Sequence, residues 1–460
     1  MDIPRALVVA LAAVLVWTAG SAAAPGPQEL TITASDGTQL ACGLVLPDGT
    51  PPSGGWPGLL LFHGLGQTHS VAETAATEVF APAGYASLAC DARGVGGSGG
   101  SFDLDGPRAT QDVRELFDWL AARPDVSDTK IGAFGISLGG AAVWNAAAAG
   151  VPFRAIVPAI SWTDLASALA PAGVPKTGLL AALEQAVPTQ RWDPELAAAR
   201  DALLAGTVTA QVRDDAAQRS SRSRLASLHV PALILQGRRD YLFDLGQAAA
   251  AYKALQGPKK LYIGDLGHTP AGNPTAELPY YVGEALTWFD RYLKGAAPRA
   301  GESGVEIADE PWDGGTTSYV GLPLTQAASV ALPGSSVLGP GVRVSRSATL
   351  TGGPHETFGN GAVVVRYAGA RGWPRLVASV SVAGSRTPIT LGAVRITKPA
   401  GTATIHLLDE VVNVPRGKRL VVTVGASSAN GLFAGEPPAG ATITLGRMTL
   451  TLPFLRAKQR

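Results

Sequence analysis

The chain has 460 residues, 46% of them hydrophobic and 16% charged, with 56 Gly and 34 Pro. That length supports two domains, each with an ample core, and the Gly and Pro content suits a compact, loop-rich, partly β protein. A net charge of +1 gives no argument for a nucleic-acid partner.

The N-terminus reads MDIPR, then the apolar stretch ALVVALAAVLVWTAG, then SAAAPGPQ. A short basic start, an apolar core and small residues at Ser21-Ala22-Ala23 form a secretory signal cut near Ala23 or Ala24. An uncleaved anchor is the alternative, because the apolar stretch almost reaches spanning length. We therefore take residues 1–24 as a signal peptide and expect a secreted or extracytoplasmic protein.

Strand and helix signals alternate from about residue 28 to 295. ELTITASDGTQLACGLVLP is a hairpin turning on Asp36-Gly37. PGLLLFHG is a continuous apolar run, as expected of a strand buried on both faces of a parallel sheet. A helix over 70–82 and a strand over 84–90 follow. The two cysteines, Cys42 and Cys90, lie in strand-like runs expected to be neighbours. Export and geometry allow a disulfide, and two buried thiols are the alternative. Two Cys without nearby His do not make a metal site.

Next comes a glycine loop, Gly94-Val95-Gly96-Gly97-Ser98-Gly99, which spells G-x-G-x-x-G after the strand YASLAC. A dinucleotide site would need that loop to open directly into a helix, with an acid ending the next strand. Here SFDLDGPRA intervenes, so no cofactor is expected. The helix 109–122 and the strand 130–137 then lead to KIGAFGISLGGAAVWNAAAA. In it an apolar strand enters Gly135-Ile136-Ser137-Leu138-Gly139, and a helix over 139–149 follows at once. That is a nucleophile elbow, in which a serine on a strained strand-to-helix turn pushes its hydroxyl out of the sheet. Gly at both flanks is a steric need. Gly96-Gly97-Ser98-Gly99-Gly100 repeats the G-x-S-x-G spelling, but no helix follows directly and Ser98 lacks the elbow.

FRAIVPAI, PALILQG and KKLYIGD supply three more strands, and ELPYYVGEALTWFDRYL a closing helix. Eight strands in this order, with the elbow after the fifth, predict an α/β-hydrolase sheet. Residues 161–228 interrupt the alternation with Ala-rich, Pro-punctuated helical sequence and are expected to cap the site. In this fold the acid and then the base follow the nucleophile. His268, in GDLGHTPAG after the last apolar strand, is the base by elimination and topology among six His. Asp240, ending the seventh strand, is the expected acid. Asp244 competes but reads as a helix N-cap, and Asp265 is too near His268 in sequence to reach behind its ring. The oxyanion donors are expected to be the backbone N–H of Leu138 and of Leu65, with Gly64 or Gly66 as alternatives to Leu65. His63 is expected to brace that loop.

After residue 300 the texture changes. Residues 301–316 read as a linker. Short alternating runs such as RLVASVSVAG and ATITLGRMTLTLP then imply a β-sandwich over 317–460, jelly-roll-like. From Trp312 onward there are 15 Lys and Arg against 5 Asp and Glu. This surplus reads either as a surface that docks on anionic cell-envelope material or as a solvated face balanced by an acidic catalytic domain over 25–300.

Asp91-Ala92-Arg93-Gly94-Val95-Gly96-Gly97-Ser98-Gly99 resembles the D-x-R-G-x-G-x-S loop of X-prolyl dipeptidyl peptidases and cocaine esterase-like hydrolases. The triad spacing, cap insertion and C-terminal jelly roll are similar to the same family. The resemblance implies an acyl-enzyme hydrolase acting on esters or on short peptides, with Ser137, Asp240 and His268 as its triad and Arg93 tying down its loop. The chain departs from the family in having Leu138 after the nucleophile, where an aromatic is common. No acidic-aromatic cluster for a peptide amino terminus is assignable, so a carboxylesterase acting on small acyl esters is the alternative. A catalytically vestigial, envelope-binding protein is a further one.

Overall fold

The computed structural model describes residues 26–184, 191–299, 304–350, 356–385, 387–415 and 417–456. The signal-like segment, residues 1–24, lies outside them. Among the described residues no helix is long and apolar enough to cross a membrane.

The first strands, β1 (Gln28–Thr33) and β2 (Gln39–Val45), form the expected antiparallel hairpin, with Thr33 opposite Gln39. Next are β3 (Trp56–Phe62), α1 (His69–Ala75), β4 (Ala86–Cys90), α2 (Pro107–Ala121), β5 (Val126–Ile136) and α3 (Leu138–Ala148). The helix expected over 70–82 divides into α1 and a wider π-helical turn over Ala76–Phe80. After β6 (Ala155–Ala159) the chain builds α4 (Leu165–Leu169), α5 (Thr177–Glu184), α6 (Pro194–Leu204) and α7 (Ala210–Gln218). It returns through β7 (Ala232–Gly237), α8 (Leu245–Ala254), β8 (Lys259–Gly264) and α9 (Leu278–Lys294).

The sheet order is β1-β2-β4-β3-β5-β6-β7-β8, parallel from β4 onward. Its central strands are buried along most of their length, which is why PGLLLF and ALILQG read as unbroken apolar runs. The fold is that of an α/β-hydrolase.

Of the segment 301–316, expected to be a linker, the described residues 304–316 instead extend this sheet. Two strands, β9 (Gly304–Ala308) and β10 (Thr316–Tyr319), follow β8 in the sheet, the first parallel to it and the second antiparallel to β9. The reason is burial: every residue of β9 is covered, so the short run VEIA pairs as a strand despite its polar, glycine-rich flanks.

Beyond it, two antiparallel sheets pack face to face over one apolar core. Their strands are β11 (Thr325–Leu332), β12 (Ser336–Leu338), β13 (Val344–Thr349), β14 (Ala362–Arg371), β15 (Arg375–Val382), β16 (Thr390–Arg395), β17 (Gly401–His406), β18 (Arg419–Gly425) and β19 (Thr442–Leu455). One sheet runs β11-β19-β14-β17, with β12 also on β19, and the other β13-β18-β15-β16. This alternation of strands between a five-stranded and a four-stranded layer is a jelly roll.

Cys42 and Cys90 face each other across β2 and β4 and form a disulfide. It closes a loop with a sequence separation of 48, which corresponds to about 4 kcal/mol of lost chain entropy in the unfolded state. The double variant Cys42→Ser/Cys90→Ser is expected to lose about that much stability. Urea unfolding of the oxidised wild type against the variant checks it.

Candidate active site

Ser137 stands at the junction of β5 and α3 with φ 57° and ψ −113°, a conformation that non-glycine residues rarely adopt. Its neighbours make the turn sterically achievable. A Cβ on Gly135 would fall 2.1 Å from the Gly139 carbonyl oxygen, and one on Gly139 would fall 2.3 Å from that of Phe62. Only glycine fits at either place. The Ser137 N–H donates to the Ala159 carbonyl and Ser161 Oγ donates to the Ser137 carbonyl, so the strained residue is pinned from the next strand.

The three residues expected to work together meet. His268 Nε2 is 2.9 Å from Ser137 Oγ, and His268 Nδ1 is 2.7 Å from Asp240 Oδ2. Asp240 Oδ2 also accepts the His268 backbone N–H, while Oδ1 accepts those of Leu242 and Phe243, each at 2.9 Å. Because a carboxylate only accepts, Nδ1 carries the ring proton and Nε2 turns a lone pair to the serine hydroxyl. The edge of Phe243 meets the His268 ring at 5.2 Å between centroids and fixes its tilt. Asp244 caps α8 through the Gly246 N–H, as expected, and Asp265 accepts from Gly272. Neither touches His268.

The amide of Gly64 is committed to Gln67 Oε1 at 3.0 Å, and that of Gly139 to the His63 carbonyl. These bonds remove Gly64 as a donor to substrate. Leu65 and Leu138 both face the cavity containing Ser137. Burial holds His63 below its usual pKa and therefore neutral. Its Nε2 accepts from the Ala92 amide, so Nδ1 donates to the Gly64 carbonyl and braces the loop.

In the glycine loop, a Cβ on Gly94 would fall 2.2 Å from the Phe102 backbone nitrogen, so the loop packs closely on the segment that follows it. Ser98 is fully buried, accepting from the Ala41 amide and donating to the Asp91 carbonyl. Arg93 makes a two-pronged ion pair with Asp112, both contacts at 2.8 Å, and so ties this loop to α2. The loop also docks the cap. Arg191 donates to the carbonyls of Gly96 and Ser98, and Phe102 packs edge-on against Trp192.

The cap and Ser137 enclose a cavity of about 730 Å³. Its walls are mainly Leu165, Leu169, Leu180, Leu196, Leu203 and Val212, with Trp162 and Phe243 near the serine. Among its polar lining residues, which include Arg200, Arg213 and Arg219, Asp215 is buried and its Oδ2 has no hydrogen-bond partner.

Sequence reasoning missed what holds the Asp240 loop. From the cap, fully buried Lys176 donates Nζ to the carbonyls of Tyr241 (2.7 Å) and Leu242 (3.1 Å). From the jelly roll, Glu410 Oε2 accepts the Asp240 N–H at 3.1 Å, and the Val411 N–H donates to the Arg238 carbonyl. Burial, with the Asp244 and Asp240 carboxyls nearby, pushes the Glu410 carboxyl well above the usual range.

Residues 36–270, about half of the chain, match the X-Pro dipeptidyl-peptidase (S15) family. The chain belongs to that family. Across nearly its whole length this S15 protein is also similar to a CocE/NonD family hydrolase from Staphylococcus aureus. The TM-score is 0.72 at 14% identity, over 92% of this chain and 93% of that one. An aminopeptidase from a marine sediment archaeon, Thaumarchaeota archaeon, gives 0.70 at 15% identity over 99% of both chains. An α-amino acid ester hydrolase gives 0.66 at 16% identity over 95% and 98%. At such identities the likeness shows the shared fold. A curated relative, an uncharacterized 31.7 kDa protein in the traX-finO intergenic region of Escherichia coli, is 30% identical over 109 residues. That stretch is 24% of this chain and 38% of the relative. This S15 protein is a hydrolase of the serine peptidase or esterase type.

Replacing Glu410 with Gln keeps an acceptor for the Asp240 amide at nearly the same size, so stability is expected to change little. Glu410→Ala leaves that buried N–H unpaired and should cost about 1–3 kcal/mol. Chemical denaturation of the two variants beside wild type checks the contrast.

Proposed function

We propose that the protein hydrolyses carboxylic esters or amides bearing a bulky apolar group, through an acyl-enzyme on Ser137. The observation that carries this reading is the Ser137–His268–Asp240 hydrogen-bond chain at the wall of a large, leucine-rich cavity. His268 Nε2 takes the Ser137 proton as Oγ attacks the carbonyl, and Asp240 stabilises the imidazolium that forms. The N–H groups of Leu138 and Leu65 receive the developing oxyanion. Collapse of the tetrahedral intermediate passes the proton from His268 to the departing alcohol or amine. Water, activated by the same imidazole, then frees the acid.

The cavity volume falls within the range that holds a whole small organic ligand, and its walls are mainly apolar. This supports acyl groups larger than the small ones expected from sequence. A second reading, X-prolyl dipeptidyl-peptidase activity, is favoured by Asp215, whose unpartnered oxygen is suited to an ammonium group. Export, supported by the N-terminal signal pattern and by the disulfide, completes the proposal.

The test compares wild type with Ser137→Ala on p-nitrophenyl acetate, butyrate and octanoate, and on Gly-Pro and Ala-Pro p-nitroanilides. Wild type is expected to show kcat/KM rising with acyl length and little anilide cleavage, and Ser137→Ala to lose about 10⁴-fold or more. Anilide turnover that Asp215→Asn selectively weakens would establish the peptidase reading instead. Full ester turnover by Ser137→Ala would overturn both.

A further inference from the structure

Beyond the loop that carries Gly64 and Leu65, two segments of the chain bring a histidine and two glutamates together. Glu29 lies on β1, and His69 and Glu73 lie one turn apart on α1. Their ligand atoms all fall within 4.8 Å of one another. Nothing in the chemistry proposed for Ser137 uses them.

The protonation of this cluster is constrained from behind. Asp91 Oδ1 accepts both the backbone N–H of His69, at 2.6 Å, and its ring Nδ1, at 2.8 Å. Asp91 is itself buried and held by the Gly97 amide on its other oxygen, so it cannot turn away. Nδ1 therefore carries the proton, and the other ring nitrogen faces the two glutamates. This is how a carboxylate orients a metal-binding histidine. Without a cation between them, a lone pair and two carboxylates would point at one another.

A proton is one such cation, and it would draw the groups to about 2.7–2.9 Å. The observed separations are longer. His69 Nε2 lies 3.3 Å from Glu29 Oε2 and 3.6 Å from Glu73 Oε1. Ligands about 2.0–2.1 Å from a tetrahedral ion stand roughly 3.3–3.4 Å apart, so the 3.3 Å gap, which is also within hydrogen-bond reach, is a spacing that a shared ion requires. Glu73 adds an independent sign. It is only 5% exposed, and its Oε1, the atom turned toward His69, has no hydrogen-bond partner. That oxygen lies where a side chain on Gly43 would be, since a Cβ there would sit 1.3 Å away. A buried carboxylate oxygen left unpaired is costly unless something fills its coordination.

We propose that Glu29, His69 and Glu73 bind one divalent transition-metal ion of the Zn²⁺ class, with water in the fourth position. One imidazole and two carboxylates favour such an ion over Mg²⁺ or Ca²⁺, which take all-oxygen sites. The ion joins the edge strand β1 to the first turn of α1, four residues beyond Leu65. Its role is to fix the oxyanion loop from outside rather than to touch substrate.

The test uses the untagged chain, dialysed against EDTA and then into metal-free buffer. Titration with Co²⁺ is expected to give a saturable visible d–d spectrum at one equivalent, displaced by Zn²⁺, and Zn²⁺ is expected to raise the Tm. His69→Gln should abolish the spectrum. Glu29→Gln, at a side chain 69% exposed and so unable to disturb folding, should weaken binding by at least about 10-fold. The absence of a saturable spectrum and of any Zn²⁺ effect on Tm would overturn the proposal, leaving an imidazolium paired with carboxylates only. Binding unchanged in Glu29→Gln would overturn it equally.

Discussion

A single buried carboxylate organises this molecule. Asp240 is fully shielded from solvent, and a charge in that position is tolerable only when its oxygens are saturated with donors. Four N–H groups meet that demand: the ring and backbone of His268 and the amides of Leu242 and Phe243. Satisfying Asp240 therefore dictates the path of two loops, and through His268 it also sets the direction from which the Ser137 hydroxyl is approached. The acid loop, in turn, is not held by its own sheet alone. Lys176 reaches it from the cap and Glu410 from the jelly roll, so all three parts of the chain converge on one short turn. The jelly roll, for which sequence offered only charge as a clue, is thus part of the scaffold of the site.

The cap is fixed with the same economy. Its Trp192 segment pairs with Phe102 beyond the glycine loop, while its other end is seated on the jelly roll. There the Thr177 hydroxyl donates to the Ala434 carbonyl, and Gly178 approaches Gly431 too closely for any side chain. A cavity walled by leucines is stable only if those walls are supported from outside, and these two attachments supply that support. The loop that spells a nucleotide motif thus serves as a bracket.

What could be read from the sequence was local, or followed from topology. The elbow is legible because its glycines are demanded by backbone contacts within a few residues. Asp240 and His268 are legible because each sits at the end of an apolar strand whose place in the order is known. Glu410 is not legible: it lies 170 residues from Asp240, and nothing in its own surroundings marks it as an acceptor for that amide. Lys176 is hidden for the opposite reason, as a lysine in a helical insertion reads as solvated until both carbonyls it serves are in view. The strand β9 was obscured by its neighbours, because Gly, Asp and Pro on either side give VEIA the texture of a linker. The unpaired sulfur question was open on sequence grounds and closes once β2 and β4 are seen in register.

The two strands that follow α9 carry one more consequence. Without them β8 would end the sheet, presenting a six-residue, almost wholly buried strand, apolar over Leu261–Ile263, with an open row of amides and carbonyls. Such an edge is a template for another chain. By adding β9 and then the four-residue, polar and half-covered β10, the protein moves its boundary from its most adhesive strand to one of its least. The opposite boundary, β1, is likewise short and exposes glutamine, glutamate and threonine. A molecule built around a long parallel sheet is thereby guarded on both flanks against joining its neighbours into fibres.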